Sequence, residues 1–125
     1  MKFSRSVLEI IKERQSTRTY DPGKIIEAPK IEALTGCMKE LSGSTFRFEL
    51  VEKSVQAKGE SLGTYGVIKG ANAFMVGIVN SEHPDAKRNI NDFGYTFEKL
   101  ILKATELGLG TCWMAASFNA KHFLR

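Results

Sequence analysis

The alternation of apolar and polar positions divides the chain into a few segments of regular period. Val7, Leu8, Ile10 and Ile11 place apolar groups on one side of a short helix from about Ser6 to Arg14, with Ser4 ahead of it as the expected N-cap. Asp21-Pro22-Gly23 reads as a turn. After it, Pro29 suits the first turn of a second helix carrying Ile31, Leu34, Met38 and Leu41, which ends before Gly43. Phe46, Phe48 and Leu50 then alternate with Thr45, Arg47 and Glu49, the period of a half-buried strand. Ala71 to Val79 is almost continuously apolar, which predicts a central strand covered on both faces.

The clearest helical stripe comes next, with Phe93, Phe97, Leu100, Ile101, Ala104 and Leu107 closed by Gly108, a residue suited to a left-handed C-terminal cap. Leu109 to Met114 reads as a short strand, and Asn119 as the cap of a last helical turn through Phe123 and Leu124. Two connections complete the pattern. Lys53 to Gly70 holds Gly59, Gly63, Gly66 and Gly70 and is expected to be irregular, and Ser81 to Asn89 is polar. The final helix is short, so the expectation is a single domain over 1–125 that lacks a C-terminal portion.

Composition narrows the class. The chain has 125 residues, 42% hydrophobic and 26% charged, with three prolines, which suits one globular core rather than a disordered or repeat protein. No apolar run reaches the roughly 18 residues of a bilayer span, so no membrane association is expected. The net charge of +4 is scattered along the chain rather than gathered into an arm, which argues against nucleic acid as a partner. Cys37 and Cys112 are expected to be free thiols in a cytoplasmic protein. His83 and His122 stand apart from any cysteine or carboxylate pattern, so no metal site is expected and both are read as surface residues.

Two segments carry the candidate chemistry. Arg14, Ser16 and Arg18 occupy alternate positions after the first helix, where an extended backbone points them the same way and two guanidinium groups plus a hydroxyl suit a phosphate. The competing reading is a solvated helix end. Gly108-Leu109-Gly110-Thr111-Cys112-Trp113-Met114 combines glycines, which permit close backbone approach, with a large aromatic beside which a flat ligand fits. Its competing reading is a helix cap leading into a core strand. Cys112 reads as a small buried thiol, and Asp92 and Glu98 as a helix cap and a solvated helix face.

Taken together, Arg14-Gln15-Ser16-Thr17-Arg18-Thr19-Tyr20, the Phe46-Arg47-Phe48 strand, Gly63 through Ala71, Asp92-Phe93-Gly94-Tyr95 and Gly108 to Trp113 resemble, in order, the FMN-dependent nitroreductase superfamily, in particular its branch with the Gly-Leu-Gly-Thr-Cys-Trp signature. The resemblance implies an α+β fold, with a mixed, mainly antiparallel sheet flanked by helices. It implies a flavin site in which Arg14, Gln15 and Ser16 hold the FMN phosphate end and Arg18 lies near the pyrimidine edge. Backbone at Cys112, Trp113, Met114 and Ala115 passes the ring, and Ser42, Gly43 and Ser44 match a loop that reaches a flavin across a dimer interface. No catalytic side chain is implied, because the flavin N5 carries the chemistry. The implied reaction is ping-pong, with NADH or NADPH as reductant and a small electron acceptor such as a nitroaromatic or quinone, in a homodimer or internal pseudo-dimer. Ala115-Ala116 stands where the branch has two glycines, and that departure favours the alternative of a flavin-binding or flavin-sensing protein without turnover. A nucleic-acid-binding domain ranks last.

Overall fold

The computed structural model describes residues 1–52 and 68–114. Among them three helices and a two-stranded antiparallel sheet follow in the order α1 (Val7–Glu13), α2 (Ala28–Leu41), β1 (Phe46–Glu52), β2 (Ala73–Val79) and α3 (Ile90–Glu106), an α+β arrangement.

The helices begin and end for identifiable reasons. Pro29 lies in the first turn of α2, where a missing N–H costs no intrahelical bond. At the other end Ser42 Oγ donates to the Met38 carbonyl at 2.7 Å and accepts the Phe48 N–H at 3.0 Å, so one hydroxyl fastens the end of α2 to β1. Helix α3 closes at Gly108, whose φ is +82°, with the Leu109 N–H on the Ala104 carbonyl and the Gly108 N–H on the Thr105 carbonyl, both at 2.9 Å. That pair of bonds is the Schellman closure expected of a glycine there.

Strands β1 and β2 pair from Phe46 opposite Val79 to Glu52 opposite Ala73. One face of this hairpin meets α2 and α3 through a cluster of Met38, Phe48 and Leu100, joined by Phe46, Leu50, Met75, Phe93 and Phe97. The Phe48 and Phe93 rings are stacked with centroids 5.7 Å apart. Gly77 makes that approach possible, since a Cβ there would lie 2.6 Å from the Phe93 ring. On the other face Phe74 joins Ile68 and Ala71, with Tyr20, Val76, Cys112 and Met114 packed against them. The switch of faces follows from strand alternation, Phe74 and Val76 pointing away from Met75 and Gly77.

Several sequence expectations change. Helix α1 is preceded by Ser6 rather than capped by Ser4, and no side chain caps it; the Ser4 N–H instead donates to Glu106 at 2.8 Å. Of the α1 apolar stripe only Ile10 is buried, while Leu8 is 71% and Ile11 51% exposed; among the described residues α1 packs chiefly against α3. Strand β2 is covered on both faces, by Ile68, Ala71, Cys112 and Met114 against Phe74 and Val76 and by the aromatic cluster of α3 against Met75 and Gly77, but it is not central: among the described residues its ladder partner is β1, and of its residues only Phe74 is buried. Leu109 to Met114 forms no strand; it makes an isolated parallel bridge from Thr111 to Ser16. The glycine-rich connection falls largely on 53–67, and the Asn119 turn on 115–125, both outside the described residues.

Candidate functional site

The chain leaving α1 runs extended between two other segments. Its Thr17 N–H donates to the Thr111 carbonyl on one edge, and on the other its Tyr20 N–H donates to the Lys69 carbonyl and its Arg18 carbonyl accepts the Lys69 N–H, all at 2.8 Å. Alternate residues of an extended strand present their backbone groups to opposite edges, so Thr17 faces one neighbour while Arg18 and Tyr20 face the other. Both glycines at these crossings are required. A Cβ on Gly110 would come within 2.8 Å of the Thr17 side chain, and Gly70, at φ +79°, lies directly against the Tyr20 carbonyl.

This weave brings Arg14 against Thr111. The guanidinium Nη2 donates to the Thr111 carbonyl at 3.4 Å, whereas Arg14 Nε and Thr111 Oγ1 are buried without a hydrogen-bond partner among the described residues. Two neighbouring buried polar atoms left unpaired are costly, by about 1–3 kcal/mol each, unless something binds them. One is a cationic donor and the other a hydroxyl, which is the donor set an anionic oxygen requires. Ser16 and Arg18 stand exposed beside them, as does Gln15.

Tyr20 and Cys112 complete this corner. Burial pushes the Tyr20 phenol up to about 12; the neighbouring Cys112 thiol adds to the effect and Arg14 opposes it. The phenol is therefore a proton-bearing donor across the physiological range. Cys112 is half buried and its Sγ lies 3.4 Å from the Trp113 carbonyl. Trp113 points the other way, as alternation demands, packing edge-to-face on Phe97 at 4.7 Å and donating from Nε1 to Glu98 at 2.9 Å while remaining 45% exposed. Glu98 is thus the anchor of Trp113 rather than simply a solvated residue, a role no local pattern signals because its partner is fifteen positions away.

A groove of about 840 Å³ opens from this corner, walled by Phe74 to Ile78 and by Leu109 to Met114, with Phe93, Phe97 and Ile101 beneath it. Tyr20 and Asp21 close its foot. Its largely apolar walls and few polar groups are those of a site for a flat, mostly apolar ligand. Arg14 and Ser16 are thereby brought against Thr111, whereas Arg18 is exposed, with its backbone carbonyl on Lys69, and none of the three lines the groove.

Ser42, Gly43 and Ser44 are not part of this corner. They precede Phe46, at the end of the hairpin where Phe46 pairs with Val79, while Tyr20 and Lys69 lie at the end where Glu52 pairs with Ala73. Seven strand residues separate the two ends, roughly 20 Å. Ser44 Oγ instead lies 3.4 Å from His83 Nε2, and His83 Nδ1 accepts the Asp85 N–H, which leaves the proton of the neutral ring on Nε2. Ala115 lies outside the described residues, as does His122. No cluster of three metal-ligating side chains exists among the described residues, and no helix among them is long and apolar enough to cross a membrane.

A family model described as "Putative TM nitroreductase" matches the chain over residues 6–124. The chain belongs to this family. Its fold is accordingly a small α+β member of the nitroreductase-like group, and its general class that of a nitroreductase-like oxidoreductase. No curated protein and no solved structure shows significant similarity to the chain.

Proposed function

We propose that this nitroreductase-family chain is an FMN-dependent NAD(P)H oxidoreductase acting on a small acceptor such as a nitroaromatic or quinone. The observation that carries the reading is the unpaired Arg14 Nε and Thr111 Oγ1 beside the exposed Ser16, a set of donors matched to a phosphate. Bound there, FMN supplies two-electron transfer between the nicotinamide and the acceptor. Arg14, with Gln15 and Ser16, would hold the phosphate end, and Arg18 would supply positive charge near the pyrimidine edge. The backbone from Cys112 to Met114 would border the ring. Ser42 to Ser44, remote from this corner, serve a flavin only from a second copy, so the reading includes a homodimer or a pseudo-dimer in a longer polypeptide. A cytoplasmic setting and a single domain over these residues belong to the same proposal.

The deciding experiment is titration of the purified protein with FMN, followed by rapid mixing with NADH and with NADPH. Quenched, red-shifted flavin absorption that bleaches with one nicotinamide supports the reading, and Arg14→Ala should weaken FMN binding at least tenfold. FMN that binds but is not bleached points to a flavin-binding protein without turnover, the outcome that Ala115-Ala116 would favour. An unchanged FMN spectrum at high protein concentration overturns both.

A further inference from the structure

Beyond Thr111 the segment leaving α3 loses its backbone ties. Thr111 is fixed by its carbonyl, which accepts from the Thr17 N–H at 2.8 Å and from Arg14 Nη2 at 3.4 Å. Among the described residues no backbone group of Cys112, Trp113 or Met114 bonds to another element, so their side chains set their path. Cys112 and Met114 pack against the Phe74 cluster, an apolar contact without direction. Trp113 turns to the opposite side, where two consecutive residues of α3 receive it. Its ring lies edge-to-face on Phe97 at 4.7 Å, and its Nε1 donates to Glu98 Oε2 at 2.9 Å. Phe97 in turn packs on Phe48 and Phe93, with centroids 5.1 and 5.8 Å away, so the platform beneath the indole is part of the core.

The lysines nearest Glu98 along the helix are engaged elsewhere: Lys99 Nζ lies over the Tyr95 ring at 4.9 Å, and Lys103 Nζ bonds Glu106 at 2.6 Å. Among the described residues Glu98 forms no ion pair, and its half-buried carboxylate serves the indole. Ring packing alone lets an indole slide and turn, whereas a hydrogen bond to a charged acceptor fixes its direction as well. Two points of attachment on one rigid helix therefore hold Trp113, and with it the backbone from Cys112 to Met114. We infer, resting on the flavin reading in which this backbone borders the ring, that Glu98 is a positioning residue for the flavin: acting through Trp113, it keeps the ring side of the site in its binding form before the ligand arrives. Its influence falls on the ring, and that of Arg14 on the phosphate. Without the carboxylate, Trp113 has to be ordered as the ligand binds, and ordering one such side chain weakens affinity roughly two- to tenfold.

Titrating the intact protein with FMN and with riboflavin, which has the ring but no phosphate, separates the two ends of the site. Glu98→Ala should raise both dissociation constants by the same factor, roughly two- to tenfold. Glu98→Gln, whose amide oxygen still accepts the indole N–H, should restore wild-type affinity for both, and Arg14→Ala should weaken FMN while leaving riboflavin unchanged. Trp113→Phe keeps an aromatic ring for Phe97 but has no N–H; in that background Glu98→Ala should cost nothing further, since removing either partner abolishes the coupling. In the ligand-free protein the fluorescence of Trp113, the single tryptophan, should be quenched by acrylamide more strongly in Glu98→Ala than in the wild type or Glu98→Gln. Equal flavin affinities of the wild type and Glu98→Ala, a loss confined to FMN, an undiminished loss in the Trp113→Phe background, or unchanged acrylamide quenching would each overturn the inference and leave the flavin reading standing. A wild-type protein that binds neither flavin overturns both.

Discussion

Glu106 has a side chain only 6% exposed, with Lys103 Nζ at 2.6 Å and the Ser4 N–H at 2.8 Å. Burial opposes its ionisation, yet the Lys103 ammonium and the Ser4 N–H outweigh burial and hold the carboxyl below its ordinary value. A carboxyl that binds its proton less readily in the folded than in the unfolded chain contributes stability that is complete above the unfolded pKa of about 4.5 and is lost as pH falls through the lower folded value. Denaturant titrations at stepped pH should therefore show a loss below about 4.5 that Glu106→Gln removes, together with a cost of about 1–2 kcal/mol at pH 7 from the lost charged hydrogen bonds. An acid limb identical in both proteins would assign the loss to other carboxylates. Nothing near Glu106 in the sequence announces this role, since Ser4 lies 102 positions away. Arg14 and Ser16 were legible as candidates because residue type and alternation are local features. What pairs with Arg14 was not, because Thr111 is brought there by a crossing of two chain segments.

At the level of elements, the long-period patterns were readable and the short ones were not. Helix α3 is seventeen residues long and carries its apolar stripe over most of that length, and its glycine closure follows from the left-handed backbone that only this residue adopts without strain. A Cβ on Gly108 would have its nearest heavy atom, Lys30 Nζ, 3.9 Å away, so Gly108→Ala should cost about 1 kcal/mol through backbone strain alone, a fall in Tm of roughly 4 °C. Gly94, inside the same helix with nothing within 4 Å of an added Cβ, provides the opposite case: Gly94→Ala should stabilise by up to about 1 kcal/mol. Equal effects of the two substitutions would mean that the cap, and not only helix propensity, had been misassigned. Leu109 to Met114 failed as a strand prediction because apolar, β-branched and aromatic residues suit an extended backbone whether or not a partner lies alongside. Ladder formation depends on the neighbour, and among the described residues only Ser16 pairs with Thr111 there. The same limit explains β2. Its apolar run correctly marks a strand packed on both faces, but its place in the sheet is set by elements distant in sequence.

For the whole molecule, the α+β class followed from the family resemblance, whereas the separation of the two ends of the hairpin was not legible, and that separation decides which residues act together. Arg14 belongs to the corner with Thr111 and Tyr20, while the Ser42 hydroxyl is already engaged in joining α2 to β1. Linkage distinguishes these roles in one measurement. A ligand that binds only the folded chain raises its stability by about 2.7 kcal/mol at one hundred times Kd, roughly 10 °C in Tm for a domain of this size. If FMN binds at the Arg14 corner, Arg14→Ala should lose most of that shift and leave the ligand-free Tm little changed or higher, because the buried unpaired Nε is removed with the side chain. Ser42→Ala should lower the ligand-free Tm, by about 1 kcal/mol for each hydrogen bond removed, and retain the full FMN-induced shift. Differential scanning calorimetry with and without FMN reads both quantities from the same samples. A Ser42→Ala protein that keeps its ligand-free Tm but loses the FMN shift would assign that hydroxyl to the flavin and require a second copy to bring it there.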